Sequence, residues 1–260
     1  MRRGTLCSAS LVHQMRLPPG SRTEMRHVAG VVAALFLIWM AIGSPLATLH
    51  HASLTAHMVQ HLLLMSVAPP LVWLYLPVVP TPQRWRNIQS ALTHPALCWW
   101  AATIVLVAWH VPALFTLAVQ SRAWHVVQQT SFLIAGLLFW WPVIRPWRIA
   151  EGTPSWSMVL YLFLATLPCD ILAAYLVFSE RVAYPVYLSI PRHSALSVLD
   201  DQQLAGALMW TVVTIVYLAA GGILSARLLL PQGGARAGLV RSDAAACEAI
   251  DSHSRGAEVA

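Results

Sequence analysis

Residues 54–79 read LTAHMVQHLLLMSVAPPLVWLYLPVV, an uncharged apolar run with two histidines and a glutamine near its start. A helix needs about 20 mostly apolar residues to cross a bilayer, so this run reads as a spanning helix. Strongly polar side chains are costly in hydrocarbon and normally face a bundle interior or a cavity. His57 and His61 are four residues apart and therefore project from one helix face, one turn apart. Met65 continues that stripe and Met58 lies beside it.

Five further runs of similar character flank this one: Val28–Leu49, Pro95–Val119, Trp124–Ile144, Ser155–Ser179 and Leu204–Leu230. The whole chain is 58% hydrophobic and only 10% charged. A soluble protein with six buried helices would need far more amphipathic surface than this. The expectation is an all-α, polytopic transmembrane helix bundle of about six spanning helices over residues 28–230. Residues 1–27 form a polar, basic N-terminal segment broken by Pro18–Pro19–Gly20. The apolar run that starts at Val28 is followed by five more, so it reads as a first span and not as a cleaved signal peptide. Residues 231–260, rich in Gly, Ala and Ser with mixed charge, read as a disordered cytoplasmic tail.

All sixteen basic residues are arginines. Those of the N-terminal segment, the second and fourth connections and the C-terminal end make thirteen on one side, and Arg122, Arg181 and Arg192 are left for the other. Basic residues stay cytoplasmic in short loops, so both termini of this multi-pass membrane protein are expected in the cytoplasm. The net charge of +6 then reflects topology and attraction to anionic lipid, and calls for no nucleic-acid partner.

This topology places His57, His61, His110, His125, Gln129, Asp170, Asp201, Gln202 and Met209 at one level in the outer leaflet, while the inner halves of the same helices are almost purely apolar. His125 and Gln129 repeat the four-residue spacing. A His-x-x-x-His pair completed by a His from a neighbouring helix is a workable metal site in a bundle. Imidazole suits copper and zinc alike, whereas thioethers such as Met65 favour copper(I). The other reading stays open: the histidines bond across helices and hold the bundle together, with Met58 and Met65 as core filler. Asp170 follows Pro168 inside a span and serves either as an acceptor for an imidazole N–H or as a partner for a buried Trp or Tyr. The twelve tryptophans, many near span ends, fit an interfacial aromatic belt. The four cysteines form no C-x-x-C pair and indicate no disulfide framework.

The sequence resembles the multi-spanning CtaG family of assembly factors for caa-type cytochrome c oxidase. The resemblance rests on His57–Met58–Val59–Gln60–His61–Leu62–Leu63–Leu64 and Ala68–Pro69–Pro70–Leu71, preceded by Gly43–Ser44–Pro45–Leu46. Further on it includes Trp109–His110–Val111–Pro112, Ser131–Phe132–Leu133, Phe139–Trp140–Trp141–Pro142, Asp201–Gln202–Gln203–Leu204–Ala205–Gly206 and Met209–Trp210. Gln129 departs from the family pattern, which often has His there, and the family commonly has one more apolar span before Arg26–His27–Val28. What the resemblance implies is a role in maturing a haem–copper oxidase around its copper centre in the plasma membrane of a bacterium, with oxidase subunits as partners and copper as a transient ligand. No hydrolytic or redox motif stands out, so an enzyme is not expected. Two other functions are kept: a membrane transporter of copper or another small solute, and a haem-binding electron carrier using pairs of the histidines.

Overall fold

The structure, a computed structural model, describes residues 19–44, 52–77, 82–149, 156–191 and 196–229. The start of the basic N-terminal segment, His50 and His51, and the C-terminal tail lie outside the described residues. Those described form helices and no strand. In chain order they are α1 (Pro19–Ile42), α2 (Leu54–Leu62), a π-helical turn (Leu63–Val67), α3 (Ala68–Tyr75), α4 (Gln83–Leu92), α5 (Pro95–His110), α6 (Pro112–Gln120), α7 (Arg122–Ile149), α8 (Trp156–Phe178), a 3-10 turn (Pro185–Leu188) and α9 (Val198–Leu229). Five stretches are long and apolar enough to cross a membrane: one each in α1, α7, α8 and α9, and Leu54–Tyr75, which joins α2 to α3. The pair α5–α6 makes a sixth if counted as one broken span.

Several boundaries differ from those expected. α1 starts at Pro19, inside the polar segment, because proline is well placed in a helix's first turn. It stops at Ile42, where the Gly43 N–H donates to the Trp39 carbonyl, and Pro45 follows two residues after Gly43. The run Pro95–Val119 is not one helix: α5 and α6 meet at 74°. Pro112 disfavours helical geometry at the residue before it, and Val111 is extended at φ −65°, ψ 127°. α7 runs past Ile144 to Ile149, so Arg145 sits in a helix and not in a loop. Its guanidinium lies 4.8 Å from the ring centre of Trp73 and 5.4 Å from that of Trp141, a cation–π arrangement in a buried place. Those tryptophans, with the buried Trp109 and Trp140, leave the interfacial-belt reading to exposed ones such as Trp39, Trp100 and Trp156.

Lipid tails are as apolar as leucine, so helices in a bilayer associate through close packing and interhelical hydrogen bonds. α8 and α9 make the most extensive pair, with Ala173, Ala205 and Gly206 at the contact. A Cβ on Gly206 would lie 2.9 Å from the Leu176 Cβ. Between α7 and the π turn, a Cβ on Gly136 would lie 2.7 Å from the Met65 carbonyl oxygen and 2.8 Å from its Cα. Both neighbours are backbone, so the strain has no flexible side chain to absorb it. Gly136→Ala is therefore expected to destabilise the bundle by about 1–3 kcal/mol, the usual cost of overpacking. Thermal unfolding of the detergent-solubilised protein checks this, and an unchanged melting temperature would contradict the close approach.

Candidate functional site

One end of the bundle gathers the polar residues, because α2, α7 and α9 start there and α5 and α8 finish there. α2 contributes His57, Gln60 and His61, with His57 and Gln60 fully buried. α5 ends on His110, and the first turns of α7 carry His125, Gln128 and Gln129, all buried. The four imidazoles form a chain. Ring centres are 5.6 Å apart for His125–His57, 4.4 Å for His57–His61 and 6.4 Å for His61–His110. Aromatic rings flank the chain, Phe115 at 4.8 Å from His57 and Phe132 at 4.2 Å from His61.

Hydrogen bonds orient several of these groups. The Gln129 amide donates to Gln60 Oε1 and to His125 Nε2, both at 3.2 Å, and so ties α7 to α2. Gln129 is thus a crosslink beside the histidines. His110 Nδ1–H donates to the Leu106 carbonyl at 2.7 Å, which leaves the lone pair on Nε2. That Nε2 is buried and has no hydrogen-bond partner among the described residues. Buried polar atoms are nearly always satisfied, so this Nε2 calls for a partner in the cavity beside it, a water or an ion.

His61 and His110 open onto a small cavity with a volume of about 40 Å³, room for an ion or a few waters. Met58, Met65, Met209 and Cys169 line it as well. The π turn helps: its slower rotation keeps both Met65 and Ser66 on the cavity wall. Towards the other end of the bundle, Phe139 and Tyr217 close the cavity as stacked rings 5.4 Å apart, backed by Tyr161 at 4.9 Å from Phe139.

Asp201 and Gln202 act on the frame. Asp201 reaches from α9 to the start of α2, where its carboxylate accepts from Leu54 N–H (2.8 Å), Thr55 N–H (3.3 Å), Thr55 Oγ1 (2.7 Å) and Ser53 Oγ (3.0 Å). It caps the histidine helix, where a negative charge also suits the helix dipole. Gln202 holds the loop after α8: its Oε1 accepts from Ala183 N–H at 2.7 Å and its Nε2 donates to the Arg181 carbonyl at 3.2 Å. In that loop Tyr184 stacks on Phe115 at 3.9 Å and donates its hydroxyl to the His110 carbonyl at 3.1 Å. Burial raises the Tyr184 pKa, which keeps the hydroxyl a donor. Asp170 follows Cys169, which lines the cavity, but is not itself among the lining residues. Its Oδ1 is buried with no hydrogen-bond partner among the described residues, neither an imidazole nor an indole nor a phenol.

The sequence placed all four histidines and Met65, Met209, Asp201 and Gln202 at this end, and the structure brings them together. Gln60, Phe115 and Tyr184 were missed. The position of Gln60 beside the histidine stripe was the one signal available. Among the described residues no three His, Cys, Asp or Glu side chains are set to hold one metal ion together. The chain of rings is not a closed chelate. The donors lining the cavity, two imidazoles, three thioethers and the Cys169 thiol, are of a kind that suits a soft metal. The residues therefore fit copper in its lower oxidation state, and the single ring nitrogen left unsatisfied on His110 fits a metal contact.

Fold and site together define a polytopic α-helical membrane protein with a buried histidine–methionine cluster near one end. The family model described as cytochrome c oxidase caa3 assembly factor matches residues 9–229. The chain belongs to that family, a family of bacterial membrane proteins. Neither the curated proteins nor the solved structures compared with it gave a match.

Proposed function

We propose that this protein assists the copper centre of a caa3-type oxidase, receiving copper on its histidine chain at the outer face of the membrane and passing it to an oxidase subunit. The observation that carries this reading is the run of four buried imidazoles on three different helices, ending at a His110 Nε2 that no described residue satisfies. Copper is the cargo here, and this chain's residues bind, orient and shield it. Gln129 orients His125, Asp201 holds the start of α2, Gln202 holds the loop after α8, and Phe115 with Tyr184 of that loop excludes bulk water.

The arrangement favours this over a transporter. A transport path needs polar groups leading across the bilayer, whereas the cavity ends on stacked Phe139, Tyr161 and Tyr217. A cavity of about 40 Å³ is also far too small for a porphyrin, which weighs against a haem carrier. The test is a strain lacking this protein. Its oxidase should be inserted in the membrane but deficient in copper relative to haem, and added copper should restore part of the activity. An oxidase with full copper content in that strain would refute the proposal.

Orientation follows from the arginine count: both ends cytoplasmic, the histidine end facing outward. Reporter fusions after Ser21 and after Pro231 should both read as cytoplasmic. A periplasmic signal from the second would turn the site to the wrong side for receiving copper from outside.

A further inference from the structure

The four histidines do not share one chamber. His61 and His110 line the cavity, whereas His57 and His125, with ring centres 5.6 Å apart, are not among its lining residues. The cavity wall is completed by sulfur from three elements: Met58 on α2, Met65 in the π turn and Met209 on α9, with Cys169 of α8 beside them. All four sulfur residues are buried. Met58 and Met65 read as filler from sequence, since methionine packs irregular gaps well. Filler, however, closes a gap, and these three thioethers surround one that remains open. Among the described residues no carboxylate lines the chamber, and the donors it offers are imidazole nitrogen, thioether sulfur and the Cys169 thiol. Imidazole suits zinc and copper alike, while a set dominated by thioethers favours the soft monovalent ion over the divalent ones.

We propose that this cavity is a separate binding site for a soft monovalent cation, Cu(I) by its chemistry, held by Met58, Met65 and Met209 together with His61 and His110. The site deepens the copper-handling reading and rests on it: the His57–His125 pair receives the ion, and the sulfur-lined chamber retains it and rejects divalent competitors. The π turn then has a purpose, because it sets Met65 on the wall. The approach of α7 at Gly136 locks Met65 in place.

Full-length protein in detergent would be titrated with Ag(I), a redox-inert stand-in, and separately with Zn(II), each against a competing chelator. X-ray absorption of the Cu(I)-loaded protein would report sulfur ligation. The variants are Met58→Leu, Met65→Leu and Met209→Leu, which nearly conserve volume, with Met158→Leu on α8 as the control. Expected is a single equivalent of Ag(I) undisturbed by excess Zn(II), a visible copper–sulfur shell, and Ag(I) affinity weakened about tenfold or more in each cavity variant. Melting temperatures should stay near wild type, and the control should bind normally. Wild-type affinity in all three cavity variants, with binding lost in His61→Ala, would overturn the sulfur site and leave the copper role standing. No Ag(I) binding by the wild type would overturn the site outright, and the copper content of the oxidase in the deletion strain decides independently whether the wider reading falls with it.

Discussion

His61→Ala is expected to abolish oxidase maturation while the protein itself accumulates normally in the membrane. His61 is the junction of the site. Its ring lies 4.4 Å from His57 and 6.4 Å from His110, and it also lines the cavity. Removing it breaks the chain of imidazoles and takes one donor from the chamber, and the remaining ligands of a small metal site seldom compensate. A purely structural histidine would act differently. Its contact with Phe132 is a packing contact, and an interhelical hydrogen bond in a membrane is worth on the order of 1 kcal/mol, too little to remove a function outright. The deletion strain would carry either wild type or mutant, with oxidase activity, copper per haem and the level of this protein measured together. Loss of activity at normal protein level supports a ligand role. Normal activity refutes it, and loss explained by a low protein level assigns His61 to structure instead.

Asp201→Ala should have the largest effect on stability. The carboxylate accepts from two backbone N–H groups at the start of α2 and from two hydroxyls, and it does so from the far end of the chain. Without it, Leu54 and Thr55 lose their acceptors where the helix already has N–H groups to spare. A helix cap is worth about 1–2 kcal/mol and a hydrogen bond to a charged group about 1.5–3 kcal/mol. A loss of several kcal/mol is enough to unfold or misplace α2. The detergent-purified variant should melt well below wild type, and membranes should hold less of it. Asp201→Asn keeps one acceptor oxygen but turns an NH₂ group toward donors, so it should fall between the two. Unchanged melting of Asp201→Ala would show that the cap is dispensable. Its effect on copper should follow the effect on folding, in contrast to His61→Ala.

The sequence alone determined the class of the fold, the position of nearly every span and the end of its helix at which each histidine falls. The reason is that these depend on local periodicity. A run of apolar residues long enough to cross a bilayer announces itself, and a four-residue spacing puts His57 and His61 on one face whatever else happens. The run Pro95–Val119 reads as one span, and only the structure shows the 74° bend between its two helices at Pro112. Tertiary structure alone decided which faces meet. The π turn at Leu63–Val67 is written in ordinary apolar residues and a serine. Capping of α2 by Asp201 joins positions almost 150 residues apart in sequence, and no local pattern reports such a pairing. Which of the histidines line the chamber also depends on helix rotation. That rotation is set by how closely backbones pass at Gly136 and Gly206. Spacing fixes what one helix offers; crossing geometry, settled by packing against every neighbour at once, fixes what it is offered to.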